Sequence, residues 1–312
     1  MTNKSNIENF EIETLKIVRN YTSLFGLILG FLGIFFNFLS FKTANFLGKF
    51  NSSIAFIKVL AVWDSLAVLQ DGIVNLGGKY FEINFIQWNS LCKFYHFHSW
   101  GSSCSANYHL VALVIDRFLA IKFPVWYRVK CKPQYAYFVS FLIMIATYAI
   151  SSPAIYFFSI ENNECLMTGS KLLFEWYLII LTYVVYSYLP FGLIFIFNFY
   201  FIYYLTTLRK IKSTSDRDFQ NRCMALMLTT ISFSFLTFTL SCSLLLIWYF
   251  NFEAKTEEDI ALASAVEVVL EIPAIFNSSF NFIFFYLSGK GYRLAVTKML
   301  SSSVFNHKFN QT

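Results

Sequence analysis

Val114-Ile115-Asp116-Arg117-Phe118-Leu119-Ala120-Ile121 closes a long, mostly apolar run that opens at Cys92, and its reading decides the fold. The residues between are chiefly small polar, aromatic and aliphatic, and they are numerous enough to cross a bilayer as one helix. An arginine at the centre of a membrane helix costs about 3 kcal/mol, so Arg117 belongs at the water boundary or against protein. Asp116 beside it offers a charge-assisted hydrogen bond, which leaves the guanidinium able to change partner when neighbouring helices move. Cys92 stands 25 residues before Arg117. At 1.5 Å per residue that is about 37 Å of helix, enough to put the two at opposite membrane faces. Taken alone, the acid and the arginine are also what an ordinary charged helix end looks like.

Composition narrows the choice. The 312 residues are 57% hydrophobic and only 13% charged, where a soluble domain carries about 25% charged residues. With a mean hydropathy of +0.55, this is the composition of a membrane protein. The net charge of +6 does not point to nucleic acid. No Cys-x-x-Cys pair or paired histidines suggest a metal site, and neither a cofactor nor enzymatic activity is expected. The first twenty residues are polar and mixed in charge, so the first apolar segment is expected to direct insertion itself.

Seven apolar segments are expected to span: 22–41, 54–76, 91–121, 135–158, 176–205, 224–250 and 260–287. The fold class expected is an all-α membrane protein, a seven-helix bundle with a short amphipathic eighth helix. Residues 1–21 form an extracellular N-terminus, 22–287 the membrane domain, and 288–312 the amphipathic helix and a short tail. In that helix Tyr292, Leu294, Ala295, Met299 and Leu300 oppose Lys290, Arg293 and Lys298, a pattern suited to a lipid surface. Seventeen lysines and arginines fall on the side of Arg117 and seven on the other, which predicts an outside N-terminus and a cytoplasmic C-terminus. The sequons at Asn3 and Asn20 then lie outside as glycosylation candidates.

The polar residues within the segments carry a resemblance. Asn37 in the first, Asp64 in the second, and Asn277-Ser278-Ser279-Phe280-Asn281 in the seventh stand where rhodopsin-like G-protein-coupled receptors carry polar residues. Asp116-Arg117-Phe118 resembles their Asp-Arg-Tyr, and Pro153 and Pro190 match prolines of their fourth and fifth helices. Tyr286 to Arg293 is similar to the corresponding junction in invertebrate FMRFamide-type neuropeptide receptors. The register runs from Thr22 to Leu300. It implies a plasma-membrane receptor for an extracellular ligand, in which Arg117 and its neighbours meet a heterotrimeric G protein. Asn37, Asp64, Asn277 and Asn281 then form a core that rearranges on activation. It also implies a bridge between Cys92 and Cys165, the two cysteines read as facing the oxidising side near water.

The departures from the pattern are specific. Ser241 and Phe282 replace two prolines, so the sixth and seventh helices are expected to lose kinks. Ser99 stands where amine receptors carry an aspartate, and Ile275 where opsins carry a lysine, which disfavours amines and retinal. Glu267 and Glu271, four apart on one helix face, are candidates to accept an arginine of a basic peptide, although Glu267 also reads as a solvated residue near a helix end. Asp71, Ser99, Trp100 and Ser103 complete the expected ligand pocket. On the opposite side, Lys210, Lys212, Arg217 and Arg222 make a basic third loop suited to an acidic partner or anionic lipid. The expected function is a neuropeptide receptor; an odorant receptor on the same fold and, further off, a transporter are the alternatives.

Overall fold

The structure, a computed structural model, describes residues 2–47, 52–161, 164–208, 233–235, 252, 256–288 and 290–309. Among the described residues, five helical stretches are long and apolar enough to cross a membrane: Phe10–Phe46, Ser52–Phe81, Asn89–Lys122, Pro133–Phe157 and Leu172–Tyr203. They answer to the first five expected segments. The expected sixth segment, apart from 233–235, lies outside the described residues, as do the third-loop cations and Ser241.

In chain order the elements are α1 (Thr2–Phe46), α2 (Ser52–Val68), a π-helix (Leu69–Leu76) and α3 (Gly77–Phe81). Then come α4 (Asn89–Lys122), α5 (Pro124–Lys130), α6 (Pro133–Ser151) and α7 (Ala154–Phe157). Strands β1 (Phe158–Glu161) and β2 (Glu164–Met167) are followed by α8 (Lys171–Leu178), a second π-helix (Ile179–Tyr188) and α9 (Leu189–Leu208). After the sixth segment come α10 (Glu257–Ser279), α11 (Asn281–Ser288) and α12 (Lys290–Phe309).

Several elements differ from the sequence expectation for identifiable reasons. The residues ahead of Thr22 continue α1, because nothing from Thr2 to Phe25 is glycine or proline and a helix has no reason to stop. The stretch between the fourth and fifth expected segments forms an antiparallel hairpin, with Phe158 opposite Met167 and Ile160 opposite Cys165. The two π-helices contain wider turns than the α-helix, so faces counted with a 3.6 period fail beyond residue 69. The second π-helix ends beside Pro190, whose ring clashes with the carbonyl of the preceding turn in a regular α-helix. The seventh segment starts on a capping box between Thr256 and Asp259 and carries Pro273 within α10.

The expected loss of the seventh-helix kink is corrected by the structure. Although Phe282 replaces proline, the helix breaks at Phe280 (φ −101°, ψ 5°). Asn281 is drawn to Asp64 on the second segment, and Phe276 stacks on Phe280 with ring centroids 4.0 Å apart. A tertiary hydrogen bond and a ring stack thus hold the bend that a missing backbone donor imposes elsewhere. In α12, Tyr292, Ala295 and Val296 are buried against the bundle, while Leu294 and Leu300 are exposed. The expected apolar face is therefore split, because Tyr292 donates to the Ser40 hydroxyl (3.2 Å) and packs on Phe282 and Phe285.

α1 packs against α2 and α10, α2 against α4 and α6, and α4 against α6 and α9. α1 turns two different sides outward and inward. Phe25, Ile28, Phe31, Phe35 and Phe38 are exposed, the lipid-facing pattern of a spanning helix. On the opposite side Gly30 meets the second segment, and Gly26 and Gly33 meet both the second segment and α10, the small-residue contact that lets membrane helices approach closely. A Cβ on Gly72 would stand 2.9 Å from the Gly30 Cα, backbone that cannot move aside. Gly72→Val is therefore expected to destabilise the detergent-purified protein by about 1–3 kcal/mol, the usual cost of overpacking. Gly192→Ala, where a Cβ meets nothing within 4 Å, should leave the thermal midpoint equal or higher. Equal midpoints for wild type and Gly72→Val would contradict this packing.

Candidate functional site

The bundle has two ends, named here for what they carry: the disulfide end and the Arg117 end. Polar side chains gather at both ends and at one level between them. Each gathering includes residues of the Ser52–Phe81 stretch.

At the Arg117 end, the Asp116 carboxylate is buried and accepts from three hydroxyls. Ser52 donates to Oδ1 (2.6 Å), while Ser53 and Tyr127 (2.9 Å) donate to Oδ2. The sequence reading gives Asp116 to Arg117; in the structure the carboxylate accepts from two serines of α2 and a tyrosine of α5. Sequence alone gave no sign of them, since Ser53 lies 63 residues from Asp116. Burial, reinforced by the Asp116 charge, pushes the Tyr127 phenol up, so it stays protonated and donates at neutral pH. Arg117 is half-buried beside this cluster. Phe118 packs edge-on against Phe197 of α9 with centroids 5.4 Å apart, and the Lys122 ammonium lies over its ring.

Between the ends, three of the four expected core polar residues join the seventh segment to the first two. Asn281 donates to Asp64 Oδ2 (2.8 Å), and Asn37 donates to the Ser278 carbonyl (3.0 Å). Both bonds link segments more than 200 positions apart. Asn277 makes neither link: it is half-buried, one residue before the carbonyl that holds Asn37.

At the disulfide end Cys92 and Cys165 are bonded. The bridge and the bond from Ile160 N–H to the Asn89 side chain (3.1 Å) fasten the hairpin to the start of α4. By chain entropy alone a crosslink of this span is worth about 4 kcal/mol. The hairpin covers an aromatic cluster in which Trp100 contacts Phe158, Phe174 and Tyr177. Trp100 is thus a wall of that cluster, and Ser103 is buried one turn further in.

The remaining expected pocket residues come together. Ser99 donates to Asp71 (3.1 Å), and Asn75 donates to Glu271 Oε1 (2.5 Å). Lys79, one of the seven basic residues on the side away from Arg117, lies 3.0 Å from Glu267 and 3.6 Å from Glu271. Side-chain exposure falls from 48% at Glu267 to 22% at Glu271, so the group descends from the rim into the bundle. The π-helix supplies Asp71 and Asn75 and delivers Lys79 to the same side. Their four-residue spacing was the one available signal for Lys79. Of the glycosylation candidates, Asn3 and Asn20 both fall within α1; Asn20 is half-buried and accepts from Arg19 (3.5 Å).

A helical membrane bundle with a bridged loop at one end and an Asp-Arg pair at the other defines a class. Residues 49–284, more than half of the chain, match the family model described as 7 transmembrane receptor (rhodopsin family), and the chain belongs to that family. It is thus a multi-pass membrane receptor of the G-protein-coupled kind, a family that passes extracellular signals to G proteins. No curated protein matches the chain individually. The match supports neither the odorant-receptor alternative nor the transporter.

The hydroxyl cluster at Asp116 gives a direct test. Tyr127→Phe and Ser53→Ala each remove a donor from one buried carboxylate oxygen and should each cost about 1–3 kcal/mol. Because the two share that oxygen, the double variant should depart from additivity by at least ~0.5 kcal/mol in thermal or denaturant unfolding. Strict additivity would show that the hydroxyls do not act on one acceptor.

Proposed function

We propose that this chain is a plasma-membrane receptor for a cationic neuropeptide, with its disulfide end outside the cell and its Arg117 end in the cytoplasm. One observation carries the reading: Asp71, Glu267 and Glu271 converge at the disulfide end against a single lysine among the described residues. Three carboxyl groups facing one ammonium in a partly desolvated place form an acidic site that attracts and orients a cation. A peptide with an arginine next to an amidated C-terminal phenylalanine suits this site. Its guanidinium meets the acids, and its aromatic ring meets the wall formed by Trp100, Phe158 and Phe174.

Signal transfer in this reading is a population shift. Ligand binding favours an arrangement of the bundle in which the Arg117 end opens to a heterotrimeric G protein, with Asp116, Arg117 and Phe118 at the contact. Asp64, Asn281, Asn37 and Asn277 lie between the two ends and rearrange with it. The basic residues on the Arg117 side support the cytoplasmic assignment, and α12, with Arg293 and Lys298, is suited to anionic lipid of that leaflet. Glycosylation at Asn3 and Asn20 belongs to the same orientation.

G-protein activation in transfected cells, screened against amidated peptides, tests the proposal. A peptide bearing arginine should activate the wild type. Glu271→Gln should weaken its potency by about tenfold or more, and Arg117→Ala should abolish the response at equal surface expression. Peptides without a cation acting as well as those with one would refute the cationic reading.

A further inference from the structure

Lys79 has no part in the sequence-level reading of the pocket, yet it occupies the acid pair on which that reading rests. Its ammonium is shared: Glu267 Oε1 lies 3.0 Å away and Glu271 Oε1 3.6 Å away. Glu271 is unevenly served. Its Oε1 accepts from Asn75 and has the Lys79 ammonium 3.6 Å away, while Oε2 is buried with no hydrogen-bond donor and the ammonium itself is buried with no hydrogen-bond acceptor among the described residues. Asp71 lies within electrostatic reach of the same carboxylate. The Lys79 ammonium, a compact point charge set between Glu267 Oε1 and Glu271 Oε1, does not reach Glu271 Oε2. A guanidinium is a planar fork with five N–H donors, able to pair side-on with one carboxylate and offer its other edge to the second.

We propose that Lys79 is a specificity-determining residue: a tethered ammonium that fills the acid pair until a guanidinium displaces it, so that the site discriminates against ligands bearing only an ammonium. The proposal rests on the cationic-ligand reading above and adds the class of cation selected. Displacement is feasible because Lys79 sits near the end of α3 with its side chain 24% exposed: the ammonium is buried, but the stem reaches water, and rotation about its four-carbon chain can carry the ammonium out along it. A ligand ammonium offers the acids nothing that Lys79 does not already supply at higher effective concentration. A ligand guanidinium supplies the donor for Glu271 Oε2 that Lys79 leaves unmet.

The test uses the full chain purified in detergent, with arginine amide and lysine amide as probes and the thermal midpoint as readout. In the wild type, arginine amide is expected to raise the midpoint and lysine amide to do so at least tenfold less effectively by concentration. Lys79→Gln should lower the half-maximal concentration for both probes and narrow the gap between them. Lys79→Arg, which keeps the charge and adds the fork, should raise the half-maximal concentration for arginine amide above the wild-type value. The order Gln, Lys, Arg is what competition demands, and a purely structural lysine does not produce it. Unchanged curves in both variants, or loss of the arginine response in Lys79→Gln with the protein still folded, would overturn the proposal. No shift by either probe in any form would overturn it together with the cationic reading. Displacement in the expected order without G-protein activation by any peptide would uphold the role of Lys79 and refute only the receptor function assigned to the site.

Discussion

A carboxylate held in a membrane bundle must be given donors, because hydrocarbon supplies none and the cost of leaving it bare exceeds what a helix contact returns. This bundle carries such groups at three levels, and the Ser52–Phe81 stretch takes part at each of them. Ser52 and Ser53 donate to Asp116 of α4, Asp64 accepts from Asn281 of α11, and Asp71 accepts from Ser99 of α4. Asn75 and Lys79 serve Glu271 and Glu267 of α10. Going along that stretch, the partner alternates between the third and seventh segments. Moving the second segment relative to either neighbour therefore disturbs polar pairs at more than one level.

The second segment keeps this position because α1 lets it come close. Glycines 26, 30 and 33 face it, and at Gly72 the two backbones approach to a distance no side chain permits. The π-helix from Leu69 to Leu76 then sets which residues of the second segment face inward beyond that contact. A π-helix is a costly geometry that survives where its surroundings hold it. Here the surroundings include the Gly30 contact, the Asp71–Ser99 bond and the bond from Gln70 to the Tyr95 carbonyl (2.5 Å). In the function proposed above, a cation arriving at Glu271 acts on α10 and on the second segment together. The break at Phe280 separates that part of the seventh segment from the part that holds Asp64.

Much of this was legible in the sequence, and the rest was hidden for physical reasons. Apolar runs of spanning length fixed the first five spans, since crossing a bilayer leaves few alternatives to a helix. The register of Asn37, Asp64 and Asn281 was legible because intramembrane polar residues are rare enough to stand out. Their partners were only partly so: Asn37 bonds a backbone carbonyl, which no side-chain pattern reveals. Lys79 read only as a basic residue on the side away from Arg117 because it lies at the end of its helix, and its bridges to residues nearly 200 positions away depend on the π-turns before it. The hairpin rests on two short runs, 158–161 and 164–167, that a count of spanning-length apolar segments passes over. Phe282 misled because a kink was tied to proline, whereas the bend at Phe280 is held by a bond to another helix.

The central claim is that the acid cluster at the disulfide end and the Asp116-Arg117 end are two sites of one equilibrium. Linkage makes that claim reciprocal: if a cation at the first favours G-protein binding at the second, a bound G protein must tighten the cation by the same factor. The measurement is the affinity of a fluorescent arginine-containing peptide amide for the reconstituted chain, with and without a nucleotide-free heterotrimeric G protein. The account predicts a gain of about fivefold or more, lost on adding a guanine nucleotide and lost in Arg117→Ala. An affinity that is measurable and identical with and without the G protein would contradict it, leaving two polar clusters in one bundle with no coupling between them.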